Sequence, residues 1–105
     1  MNTTPAFRAL GDPTRRAILD LLAEEERPVG ALVDRFAMSQ PALSQHLRVL
    51  RDAGLVTPRK DGRRRLYRVQ GAPLEGVHDW VGRYERFWSA RLDALGAYLD
   101  DERSR

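Results

Sequence analysis

The chain has 105 residues, of which 42% are apolar and 31% charged, with 18 Lys/Arg against 15 Asp/Glu. That length holds one core and leaves no room for a second, so 1–105 reads as a single folded domain rather than a disordered chain. The absence of cysteine excludes disulfides, thiolate metal sites and a cysteine nucleophile.

No stretch approaches the ~18 apolar residues of a membrane span. The start MNTTPAFRAL also lacks the basic residues and apolar run of a secretory segment. A cytoplasmic location with no membrane partner is therefore expected. The positive charge is unevenly spread: residues 1–72 carry 13 Lys/Arg against 8 Asp/Glu, whereas residues 73–105 carry 5 against 7. A basic N-terminal part points to a nucleic-acid partner.

Thr4 is a cap candidate for a short first helix, with Pro5 in its first turn and Phe7 and Leu10 on one face before Gly11. Asp12 then serves as N-cap and Pro13 as the first residue of a second helix. Its apolar stripe is Ile18, Leu19, Leu21 and Leu22, and it is expected to end between Glu24 and Arg27. Pro28 opens a short third helix whose buried side is Val29, Leu32, Val33 and Phe36. Only Ala37, Met38 and Ser39 separate it from Gln40, about the length of turn that joins two helices of a helix-turn-helix.

The stretch from Ser39 to Gly54 is a fourth helix, capped by Ser39, with Pro41 in the first turn and Gly54 as its stop. Leu43, Leu47 and Leu50 recur at helical spacing and face inward. Pro41, Ser44, Gln45, Arg48 and Asp52 fall on the opposite side, which carries neither Lys nor Glu. Serine and glutamine both donate and accept, and arginine donates in a fork, as reading base edges in a major groove requires. Ser39, Gln40, Ser44 and Gln45, near the helix start, are placed to approach base edges, and Arg48 to reach base or phosphate. His46 lies about 60° from the Leu43 direction on the helical wheel. Packing and DNA contact both remain open for it.

Leu55 and Val56 begin an extended segment in which Asp61-Gly62 stands between two candidate strands, a strong signal for a tight hairpin. Tyr67 and Val69 would pack inward on the face they share with Arg65, while Arg64, Leu66 and Arg68 share the other. The stretch from Val56 to Gln70 sets Arg59, Lys60, Arg63, Arg64, Arg65 and Arg68 against Asp61 alone. The tip then offers Lys60, Arg63 and Arg64 to phosphate or a narrow minor groove. A solvated charged face is the alternative.

From Leu74 the period is helical again: Leu74, Val77, Val81, Tyr84, Trp88, Leu92, Leu95 and Leu99 form one stripe. One long helix over 73–101, after a core of 4–70, is expected, although Gly76, Gly82 and Gly96 each cost about 1 kcal/mol relative to alanine. A stripe of roughly 40 Å exceeds what so small a domain can cover, and a second copy is the simplest cover. Phe7, Leu74, Val77, Val81, Tyr84, Trp88, Leu92 and Leu95 are the expected homodimer seam. The cluster Trp80, Tyr84, Phe87 and Trp88 has two readings, a dimer core and a pocket for an unnamed small-molecule effector between protomers. Docking of a heterologous protein on the same helix is the competing function class. No phosphate-binding glycine loop and no Ser, His and acid constellation is present, so an enzyme is not expected.

Helices, tight turn, polar helix, basic hairpin and final helix together describe a winged helix-turn-helix, mainly α with a small β-hairpin. Three segments carry a closer likeness: LGDPTRRAIL at Leu10 to Leu19, SQPALSQHLRVLRDAGLV at Ser39 to Val56, and GRRRLYRV at Gly62 to Val69. In these the chain resembles the ArsR family of bacterial transcriptional repressors. The resemblance implies a homodimeric repressor of an imperfect palindrome in double-stranded DNA, with Ser39 to Ala53 as recognition helix and the hairpin as wing. Metal-responsive members carry paired cysteines in the third helix, in a pattern similar to ELCVCDL; here the stretch reads ERPVGAL, with Pro28 and Gly30 at those places. The family's other metal site uses Asp and His along the last helix, where this chain has only His78 beside Asp79. Adjacent helical residues do not share a face. The chain is thus similar to the metal-independent branch, with no cofactor expected, and a metal-sensing repressor of the same family is the alternative.

Overall fold

The computed structural model describes residues 2–104. Helices α1 (Thr4–Leu10) and α2 (Pro13–Glu24) lead into a two-residue strand β1 (Arg27–Pro28), then α3 (Val29–Phe36) and α4 (Gln40–Asp52). Strands β2 (Val56–Asp61) and β3 (Arg64–Val69) follow, then α5 (Ala72–Gly82), a 3₁₀ turn at Glu85–Phe87 and α6 (Ser89–Ser104).

The junction between α1 and α2 is closed by side chains. The Asp12 carboxylate accepts the backbone N–H groups of Thr14 at 2.8 Å and Arg15 at 3.2 Å, and Pro13 occupies a position whose N–H would have no helical partner. Two consecutive arginines of α2 then reach back to α1. Arg15 Nε donates to the Ala9 carbonyl at 2.7 Å, its terminal nitrogen to Arg8 at 3.1 Å, and Arg16 to Leu10 at 2.7 Å. The last carbonyls of α1, which have no partner within a helix, are thereby satisfied. At the start of α1 it is Thr3, not Thr4, that stands at the cap position, and Asn2 accepts the Thr4 N–H.

The core is built where α2, α3, α4 and the sheet meet. Ile18, Leu32, Leu43, Leu47, Leu50, Leu55 and Val56 are its fully buried large side chains. Between α3 and α4, Ala37 adopts the left-handed conformation (φ 50°, ψ 42°) and donates to the Val33 carbonyl. Ser39 Oγ accepts from Ala42 N at 3.2 Å, which starts α4. After α4 the Gly54 N–H bonds the Arg51 carbonyl and the Leu55 N–H bonds that of Leu50, both at 2.9 Å. This is a Schellman closure, with Gly54 at φ +76° and the buried Leu55 after it.

The sheet is antiparallel in the order β1-β3-β2. The hairpin forms as expected, with a loop shifted by one residue: Asp61 pairs with Arg64, so the loop is Gly62-Arg63 rather than Asp61-Gly62. Gly62 has φ +63° and Arg63 does not, which suits a turn needing left-handed backbone only at its first loop residue. Strand β1, pairing Arg27 with Tyr67 and Pro28 with Leu66, was not expected, nor was burial of Leu66 along with Tyr67.

The single helix expected over 73–101 is interrupted. The helix ends at Gly82, the Arg83 N–H contacts Trp80 O, and Tyr84, Phe87 and Trp88 each bond the carbonyl three residues back. Glycine followed by a crowd of aromatic rings has low helix propensity, and the chain tightens into 3₁₀ geometry there before α6 resumes. Helix α6 extends to Ser104, past the fraying expected after Asp101. The radius of gyration is 17.7 Å, against about 13 Å for a compact chain of this length. The excess reflects α6, which stands away from the body.

Two of the left-handed positions, Ala37 and Gly54, give opposite expectations. Ala37→Gly removes a Cβ from a strained conformation and is expected to raise stability by about 0.5–1 kcal/mol. Gly54→Ala adds one there and is expected to lower it by about 1–2 kcal/mol. Urea midpoints at one fixed protein concentration measure both.

Candidate nucleic-acid interface

Helix α4 separates its faces cleanly. Leu43, Leu47 and Leu50 lie in the core, and Gln40, Ser44, Gln45 and Arg48 are exposed. Pro41, Ser44, Gln45, Arg48 and Asp52 line one shallow surface depression together with Val49. Ser39 is exposed as well, but its hydroxyl oxygen accepts from Ala42 as the cap, which leaves its proton and one lone pair for another partner.

His46 is half-buried, with Nδ1 3.4 Å from an Arg15 guanidinium nitrogen. Arginine only donates, so in the neutral imidazole Nδ1 is the acceptor of this contact. The histidine thus joins α4 to α2. Arg15 and His46 also act on Asp12, whose carboxyl is held below the usual range. The Arg15 backbone N–H is the largest cause, burial opposes it, and the Thr14 N–H, the Arg15 charge and, once protonated, the His46 ring add to the lowering.

The wing is less bare than its sequence suggests. Arg59 forks onto Glu26, with Nε 2.9 and 3.1 Å from the two carboxylate oxygens and a terminal nitrogen against Oε1. The Glu26 carboxyl is held below its usual range chiefly by this hydrogen bond, with the charges of Arg59 and Arg68 contributing and burial opposing. Arg64 lies 3.4 Å from Asp61. Lys60, Arg63 and Arg64 are exposed at the tip as expected. The Glu26–Arg59 pair spans 33 positions and no local pattern marks it; the run of Glu24, Glu25 and Glu26 was the one available signal.

The expected seam residues fall in two groups. Phe7, Leu74 and Val77 are half-buried, and Leu74 and Val77 pack on the core. Val81, Tyr84, Trp88, Leu92 and Leu95 are exposed, at 39% to 53%. Rings form a ladder from α1 outward: Phe7 to Trp80 edge-on at 5.4 Å, Trp80 to Tyr84 at 5.1 Å, and Tyr84 to Phe87 stacked at 6.1 Å. Trp80, Val81, Tyr84 and Trp88 also line an apolar depression.

Pro28 is paired in β1, and His78 with Asp79, 3.5 Å apart, are both largely exposed. Among the described residues no three His, Cys, Asp or Glu side chains gather into a ligand group.

Residues 12–57 match the model of the arsR family of bacterial regulatory proteins. The HTH-type transcriptional regulator Rv2034 of Mycobacterium tuberculosis is 39% identical over 97 residues, covering 92% of this chain and 88% of that protein. The chain belongs to the ArsR family. Among other ArsR-type relatives, the arsenical resistance operon repressor of Staphylococcus xylosus is 44% identical over 72 residues, 69% of each chain. The homodimeric winged helix-turn-helix DNA-binding domain Mb0332 of Mycobacterium bovis, solved by NMR, superposes with a TM-score of 0.63 at 33% identity, covering 94% of this chain and 78% of that one. The ArsR family consists of DNA-binding transcriptional regulators and not enzymes, and this chain is a transcriptional repressor of that family. No helix among its described residues is long and apolar enough to cross a membrane.

Because the Asp12 carboxyl is more acidic in the folded chain, the stability it adds is present above the unfolded value of about 3.9. That stability is lost as pH falls through the lower folded value. Wild type is therefore expected to exceed Asp12→Asn in urea midpoint above about pH 5, and the gap is expected to close toward about pH 2. A gap independent of pH would contradict the assignment.

Proposed function

We propose that this ArsR-family chain acts in the cytoplasm as a homodimer that represses transcription by binding an imperfect palindrome, without a metal cofactor. The observation that carries the reading is the division of α4: three leucines bury one face and present Ser44, Gln45 and Arg48, all exposed, on the other. Side chains of this kind match the donor and acceptor pattern of base edges in a major groove. The exposed stripe of Val81, Tyr84, Trp88, Leu92 and Leu95 supports self-association, as does the homodimeric state named for the Mycobacterium bovis domain. Two copies of α4 in successive major grooves require half-sites about 34 Å apart. The Staphylococcus xylosus relative is named for arsenical resistance, but the missing thiols and the absence of a ligand cluster among the described residues favour a metal-independent repressor here.

Selection from fragmented genomic DNA is expected to enrich a palindrome with half-sites about one helical turn apart. Failure to enrich any palindrome sinks the reading. Arg48→Ala is expected to relax preference at one base pair per half-site by about 1–3 kcal/mol, read from binding to single-substituted duplexes. In sedimentation velocity, Tyr84→Asp with Trp88→Asp is expected to shift the protein to monomer and to abolish tight operator binding. A wild-type monomer with no DNA affinity would instead favour a module that docks another protein. Unchanged operator affinity after chelation and after metal addition is the expected result for the metal-independent form.

A further inference from the structure

The two faces of the wing differ in charge balance. The register sets Thr57 opposite Arg68, Arg59 opposite Leu66 and Asp61 opposite Arg64. Alternate residues of a strand share a face, so all six lie on one side. The other side carries Val56, Pro58 and Lys60 opposite Val69, Tyr67 and Arg65.

On the first side two of the three cations are paired: Arg59 is forked onto Glu26 and Arg64 lies 3.4 Å from Asp61, while Arg68, nearer the base, has no acidic partner within ion-pair distance among the described residues. On the second side the base of the hairpin runs into the core through Val56 and Tyr67, and the tip places Lys60 directly opposite Arg65. Neither has an acidic partner within ion-pair distance among the described residues. Directly opposed residues have Cβ atoms about 4.5–5.5 Å apart, and like charges so placed are destabilising. Two opposed cations therefore weaken the free hairpin, and an anion seated between them relieves the repulsion. Arg63, exposed in the loop beside them, likewise has no ion-pair partner among the described residues.

We propose that Lys60 and Arg65, with Arg63 at the turn, form the phosphate clamp of the wing, and that Glu26 and Arg59 form a neutral brace that holds the hairpin without touching DNA. The proposal rests on the DNA-binding reading and narrows it. Arg65 enters the contact set, and Arg59 leaves the basic surface. The brace joins the segment before β1 to β2, across β3, and so sets the side of the hairpin that faces outward.

The test measures binding to a random-sequence duplex between about 50 and 200 mM salt, where each phosphate contact contributes about 0.9 to the slope of log affinity on log salt. K60Q and R65Q are each expected to reduce that slope by about 0.9, and K60Q/R65Q by about 1.8. The double variant is also expected to unfold at a higher temperature than wild type in the absence of DNA, since the repulsion is gone. E26Q/R59Q is expected to keep the wild-type slope; if it does not fold by circular dichroism, the swap E26R/R59E takes its place with the same expectation. An unchanged slope in K60Q/R65Q, or a loss of about 0.9 in the brace variant, overturns the proposal while leaving DNA binding intact. A wild-type chain that binds no duplex overturns the DNA-binding reading and this one together.

Discussion

Helix α4 has two faces that cannot be exchanged. Leu43, Leu47 and Leu50 are each at most 2% exposed, and a rotation that freed Gln45 or Arg48 from solvent would bring a leucine out with it. Full burial of one leucine stabilises by about 1.5–3 kcal/mol, so the three together rank with the whole stability of a small domain. The polar face is thus held outward by the hydrophobic effect acting on the opposite side. Ser39 and Gly54 fix where the helix begins and ends, so the exposed side chains fall at set heights along its axis.

A second constraint comes from the arginines at the start of α2. Carbonyls at the end of α1 have no helical partners, and Arg15 and Arg16 supply donors for them. Because the same Arg15 guanidinium reaches His46, the closing of α1 and the placement of α4 depend on one side chain. The segment LGDPTRRAIL is therefore structural in its chemistry: proline and aspartate start one helix while the arginines finish another.

The elements legible in the sequence are those encoded by near neighbours. Asp12 with Pro13, Ser39 with Pro41, and the leucine spacing in α4 each place an element through interactions a few residues apart, and the structure follows them. What was hidden depends on residues far apart in the chain. Strand β1 has two residues and no alternation to display; it exists because Arg27 and Pro28 meet Leu66 and Tyr67. Glu26 finds Arg59 for the same reason. The C-terminal stripe misled in a different way, because an apolar repeat records which side chains seek cover and not whether the backbone between them stays helical. Gly82 and the rings that follow it break the backbone while leaving the rings exposed. In the candidate interface, exposure of Ser44, Gln45 and Arg48 follows from periodicity, whereas the orientation of His46 required the position of Arg15.

The sheet also bears on how copies of this chain can meet. With the order β1-β3-β2, the two outer strands are β1 and β2, and each contains a proline, Pro28 and Pro58. A proline offers no N–H to a neighbouring strand, and β2 adds the charges of Arg59, Lys60 and Asp61 along the same edge. Growth of the sheet by addition of a strand from another molecule is thereby discouraged at both margins. Backbone-mediated stacking, the usual route from an open sheet to fibrous aggregates, is closed to a protein whose helical end still displays unburied aromatic rings. Association is left to side chains, whose shapes and spacing can distinguish one partner from another.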